Sequence, residues 1–143
     1  MRCFFEFLLV IFLSSCSIFH LSTSNKSCEF YFDKKLKARV YIRANVFPEY
    51  EKGELHLLNL LANEISYPSN NSVQGRIIIA IIIDEKGRVI DCEIPDKKKE
   101  NITTFESQVL KLFKERTLWK PAICKDKKVK FKLYRPIEIL IRE

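Results

Sequence analysis

Glycine occupies only 3 of the 143 positions, and that scarcity excludes a glycine-rich phosphate loop. Histidine is scarcer still: His20 and His56 are the only two, neither is near a cysteine in sequence, and no serine-histidine-acid set is suggested. The 5 cysteines contain no Cys-x-x-Cys spacing, so metal or thiol-redox work has no support in the sequence. There is also no apolar run long enough to cross a bilayer as a helix, which takes about 20 residues. These absences predict a protein that is not an enzyme, has no catalytic residues and binds no metal or cofactor.

What is present begins with the amino terminus. Arg2 precedes Phe4 to Leu13, apolar apart from Glu6, and the run ends in Leu13-Ser14-Ser15-Cys16. The length suits a signal-peptide core. The last four residues resemble a bacterial lipobox, which implies residues 1–15 as a lipoprotein signal peptide and Cys16 as a lipidated mature amino terminus. An ordinary signal peptide with a chance cysteine is the competing reading. Lipid chains would hold the protein to a membrane without spanning it. Residues 16–27, rich in serine, read as a short tether.

Arg2 and Glu6 cancel, so the formal charge of +7 stays with the rest of the chain. An excess of this size suits an anionic partner. Nucleic acid is not expected for an exported, anchored protein, and the lysines are scattered among acids as on solvated faces. With Cys3 in the signal and Cys16 lipidated, Cys28, Cys92 and Cys124 remain, so at most one internal bridge can form. Cys28 with Cys124 is the favoured pair; three free or buried thiols is the alternative.

Residues 28–46 alternate as a variable, strand-rich segment, Glu29 to Phe32 and Ala38 to Arg43, broken at Lys34-Lys35. Leu55, Leu58, Leu61, Ala62 and Ile65 predict a helix over 54–65 that Pro68 ends. Val73 to Asp84, apolar on both faces, predicts a central strand. Lys86-Gly87 turns it back into Arg88 to Ile94. Thr103 and Glu106 have the spacing of a capping box, and the helix that follows carries Phe105, Val109, Leu112, Phe113 and Arg116 on one stripe. Trp119 is read as core. Lys128 to Arg142 predicts one long final strand, where Pro136 marks an edge or a bulge.

Taken together, Tyr67-Pro68, Gly75-Arg76, Asp84-Glu85-Lys86-Gly87-Arg88-Val89, Phe105-Glu106, Trp119-Lys120-Pro121 and Pro136-Ile137 stand in an order and spacing that resembles the carboxy-terminal domain of TonB, the energy-transducing protein of diderm bacteria. The resemblance covers residues 47–143. It implies an α+β, two-layer fold, helix-strand-strand-helix-strand, with a three-stranded antiparallel sheet whose last strand is the edge. That topology disfavours a bridge between Cys92 and Cys124. The chain departs from the family in having neither a spanning amino-terminal helix nor a long proline-rich spacer.

The resemblance also implies a function. The edge strand accepts an extended peptide of an outer-membrane TonB-dependent receptor, or another envelope protein, by strand addition. Lys128, Lys130, Lys132 and Tyr134 would flank the incoming strand. Protection of an exposed edge against aggregation is the equally available reading of those lysines. The expected setting is periplasmic, lipid-anchored, with the outer membrane favoured because Ser17 is not acidic. A structural envelope protein, self-associating as a weak homodimer through the same edge or through Ile78 and Ile82, is the alternative.

Overall fold

A nine-residue strand, Gly75–Ile83, made of isoleucine and alanine from Ile77 onward, sets the centre of the computed structural model, which describes residues 27–66, 75–95, 97–116 and 118–139. The signal peptide, Cys16, nearly all of the tether, Tyr67-Pro68 and the end of the predicted last strand lie outside the described residues. In chain order the elements are β1 (Glu29–Asp33), β2 (Ala38–Arg43), β3 (Glu49–Tyr50), α1 (Glu54–Glu64), β4 (Gly75–Ile83), β5 (Val89–Glu93), a 3-10 turn (Lys99–Asn101), α2 (Thr104–Arg116), β6 (Trp119–Lys120), β7 (Ala122–Cys124), β8 (Lys127–Val129) and β9 (Phe131–Ile139). The fold is mixed α+β. Among the described residues its main sheet has five strands in the order β1-β2-β9-β4-β5.

That order corrects the expected three-stranded antiparallel sheet. β4 pairs antiparallel with β5 and, over all nine residues, with β9, but β2 joins the far side of β9 in parallel at Tyr41↔Phe131. The sheet is therefore mixed, and β9 is interior in the strand order. The physical reason lies in segment 28–46. Its β1–β2 hairpin is fastened to the rest of the chain by a Cys28–Cys124 disulfide, by the Val46↔Ile123 bridge, and by a small core of Ala44, Ala122, Cys124, Val129 and Phe131. The bridge is the favoured cysteine pairing. Cys92 stays a free thiol.

The hairpin does not lie flat. Lys35, in the turn between β1 and β2, hydrogen-bonds both carboxylate oxygens of Asp91 on β5, at 2.8 and 2.9 Å. From β2 to β5 is three strand spacings, roughly 14 Å at the usual separation, more than a lysine side chain spans. The hairpin must arch over the sheet's second face. This explains why Val40, Ala80 and Ile82 are buried on the side away from the helices.

On the first face, Ile79, Ile81, Ile83 and Val89 pack with both helices. α2 follows its sequence pattern: Glu106 N–H donates to Thr103 Oγ1 and Thr103 N–H to Glu106 Oε2, the reciprocal capping box, and Phe105, Val109, Leu112 and Phe113 are buried. Arg116 instead reaches solvent and pairs with Glu64 of α1 at 2.6 Å. Trp119 is core, edge-on to Tyr50 at 5.7 Å.

α1 turns a different side inward than the spacing suggested. Leu57 and Leu61 are its buried residues, Ile65 is buried just beyond its end, and Leu55 and Leu58 are exposed. The predicted single final strand is also divided. Lys125 and Asp126 both adopt positive φ, 48° and 62°, making the two-residue turn that pairs β7 with β8 before the chain enters β9.

Candidate functional site: the open half of strand β9

The parallel contact with β2 fixes which way β9 turns its backbone. Tyr41 N–H donates to Lys130 C=O at 2.8 Å, so Lys130 faces β2. Backbone groups alternate sides along a strand, and the β4–β9 register is unbroken. Lys132, Tyr134, Pro136 and Glu138 thus turn their N–H and C=O groups away from β4. Pro136, which has no N–H, takes no hydrogen bond from the ladder by standing there.

Only the start of this outer side is occupied. Among the described residues β2 meets β9 at Tyr41↔Phe131 and then departs through Ala44 to bridge Ile123. From Tyr134 onward no described strand lies beside β9. The open stretch offers the N–H and C=O of Tyr134, the C=O of Pro136, and the N–H and C=O of Glu138.

Beside this edge, α1 forms a shallow groove. A concavity of about 240 Å³ is lined by Leu57, Leu58, Leu61, Phe113, Ile137 and the residues around Pro136. Arg135 pairs with Glu54 at its rim. Leu58, 53% exposed, is the apolar wall facing solvent; on the opposite face Tyr134 is 52% exposed and Ile78 is also exposed. Side chains of an added strand alternate between faces, so one set would meet Leu58 and Ile137, the other Tyr134.

The four site residues expected from sequence do not gather here. Tyr134 is on the open stretch. Lys128 lies in β8, outside the main sheet and exposed. Lys130 pairs with Glu85 at 2.7 Å and Lys132 with Glu93 at 2.9 Å, and β2 occupies their side of the strand. Burial depresses the Lys132 ammonium, but the Glu93 hydrogen bond and charge, with Tyr134 and Tyr31, together outweigh it and the pKa is raised. Leu58, Pro136 and Glu138 belong to the site and were not expected. A leucine left over from the buried stripe of α1 was the signal available for Leu58.

His56 is hydrogen-bonded to Tyr50, with Nδ1 3.3 Å from the hydroxyl. Burial pushes the Cys92 thiol up to about 12, so it stays protonated. Among the described residues no group of three or more His, Cys, Asp or Glu is placed to hold a metal ion, and no helix is long and apolar enough to cross a membrane. Compared with known proteins, the chain matches no family model, no curated protein and no solved structure.

Proposed function

We propose that this chain is a TonB-like protein-binding module that takes up an extended peptide by strand addition along the outer side of β9, between Tyr134 and Glu138. The observation that carries the reading is the half-strand beyond Leu133, paired on one side only among the described residues and bordered by the α1 groove. Main-chain hydrogen bonds along the edge supply affinity; Leu58, Ile137 and Tyr134 supply side-chain preference. The partner is a segment of a TonB-dependent receptor or of another envelope protein, and the setting is periplasmic, with a lipid at Cys16 holding the chain to the membrane, the outer one favoured.

The test is titration with extended peptides from receptor plug segments, followed by amide hydrogen exchange. Slowed exchange at Tyr134 and Glu138 is the expected result. Failure of every such peptide to slow these two amides would reject the reading.

Self-association through the same edge is the second reading, favoured by the exposed apolar side chains Ile78 and Tyr134 on one face beside it. Ile82 no longer belongs to that surface, because it is buried. Sedimentation across a concentration series separates the two: a monomer throughout removes the second.

A further inference from the structure

The β1–β2 hairpin has a second, outward side that the strand-addition reading leaves without a role. Phe32 stands opposite Arg39 and Phe30 opposite Tyr41, so all four share one side of the hairpin, where Phe30, Phe32 and Arg39 are exposed and Tyr41 is half-buried against the small core. Phe30 is 48% and Phe32 63% exposed. The Arg39 guanidinium sits 4.9 Å from the centre of the Phe30 ring, and the Tyr41 ring stands 5.3 Å from it.

Cations outnumber acids at the tip. Lys34, Lys37 and Arg39 are exposed, and among the described residues none of them is in an ion pair. Of the neighbouring acids, Glu29 pairs with Arg43 at 2.6 Å, while Asp33 is turned into the hairpin, accepting from the Leu36 N–H and the Tyr31 hydroxyl. Lys35 is turned away toward Asp91.

We infer that this face docks onto an anionic lipid surface, with Phe30 and Phe32 entering the interface and Lys34, Lys37 and Arg39 lying at the headgroups. Solvated aromatic rings beside unpaired cations are what such a surface selects, because burial of the rings and attraction to the headgroups act together. A protein partner of ordinary interface size needs a broader surface than two rings and their cations. The inference does not depend on the edge of β9.

The full chain carrying Cys16→Ser, so that no lipid is attached there, is mixed with vesicles of phosphatidylcholine alone or with phosphatidylglycerol added. Hydrogen exchange is followed across the chain. Protection over residues 29–39 with the mixed vesicles, and little with the neutral ones, is expected. Phe30→Ser with Phe32→Ser should weaken that protection at least tenfold in apparent affinity, and Lys34→Gln, Lys37→Gln and Arg39→Gln together about a hundredfold. Protection confined to residues 1–26, equal protection by neutral vesicles, or unchanged affinity in both sets of variants overturns the proposal. Protection of 29–39 by an acidic peptide but by no vesicle overturns it in favour of a protein site.

Discussion

The carbonyl of Trp119 fills the space in which Gly87 would carry a Cβ: an added carbon would lie 1.8 Å from that oxygen. The two residues are joined by a hydrogen bond, Trp119 N–H to Gly87 C=O at 2.8 Å, which ties the β4–β5 turn to the exit of α2. Gly87 also holds a positive φ of 82°.

Gly87→Ala therefore combines backbone strain with a clash that no side-chain rotation relieves. The expected loss is at least roughly 3 kcal/mol. Urea unfolding of the variant against the parent chain reads it directly, and a loss below 1 kcal/mol would mean that the turn and Trp119 separate freely.

Asp84 anchors the same turn. Its Oδ1 accepts the Lys86 and Arg88 N–H groups, both at 2.9 Å, and its Oδ2 accepts the Arg88 guanidinium at 2.7 Å. Burial alone would raise its pKa, but these hydrogen bonds outweigh burial and hold it below the usual 3.8. Glu106 is lowered in the same way, burial being overcome by Lys97 and Thr103. A carboxylate with a depressed folded pKa contributes stability that is complete above its unfolded value and lost as pH falls through the folded one. The unfolding free energy is thus expected to be flat down to about pH 5 and to fall below about pH 4. Asp84→Ala, which removes the acceptor of the Lys86 and Arg88 N–H groups and of the Arg88 guanidinium, should cost about 2–3 kcal/mol at neutral pH and flatten that acid slope.

The Cys28–Cys124 bridge closes a loop with a sequence separation of 96. Loop-closure entropy for that length corresponds to roughly 4–5 kcal/mol, a large part of the stability of a domain this size. Reduction is expected to lower the urea midpoint sharply and to expose the amides of β1 and β2 first. Cys92, protonated and half-buried, should stay unlabelled by a thiol reagent until the protein unfolds.

Glu138→Pro separates binding from folding. The N–H it removes points away from β4, so the ladder keeps its bonds and stability should change by less than about 1 kcal/mol. Peptide affinity should fall about tenfold, in line with the loss of one main-chain hydrogen bond at an edge. Equal binding by parent and variant would place the peptide elsewhere.

How much of this was legible in the chain depends on the range of the interactions. The Thr103–Glu106 capping box, the isoleucines of β4, the Gly87 turn and the core position of Trp119 are local, and the sequence states them outright. α1 was misread because leucines stand at 55, 57, 58, 60 and 61, so that more than one stripe satisfies helical spacing. The β7–β8 turn was missed because Lys125 and Asp126 take positive φ without a glycine to announce it. Placement of β1–β2 against β9 rests on contacts across most of the chain, among them Cys28–Cys124 and Tyr41↔Phe131. The bridge was the favoured cysteine pairing, but short-range pattern carries no trace of the strand pairing. The open edge was displaced with them: Lys130 and Lys132 became covered, and Tyr134 to Glu138 stayed open.

The disulfide has one more consequence, for how the molecule bears tension. A pull applied at Ser27 passes through Cys28 into Cys124 by covalent bonds, so the residues between them, with α1, α2 and the hairpin of β4 and β5, lie off the load path. Stretched between Ser27 and Ile139, the oxidised chain can lengthen only by the few residues outside the loop. Reduction would release roughly 320 Å more, the extended length of the chain it encloses. The bridge confines a pull to the segment after Cys124, so that β8 and β9 bear the load while the enclosed residues are spared extension.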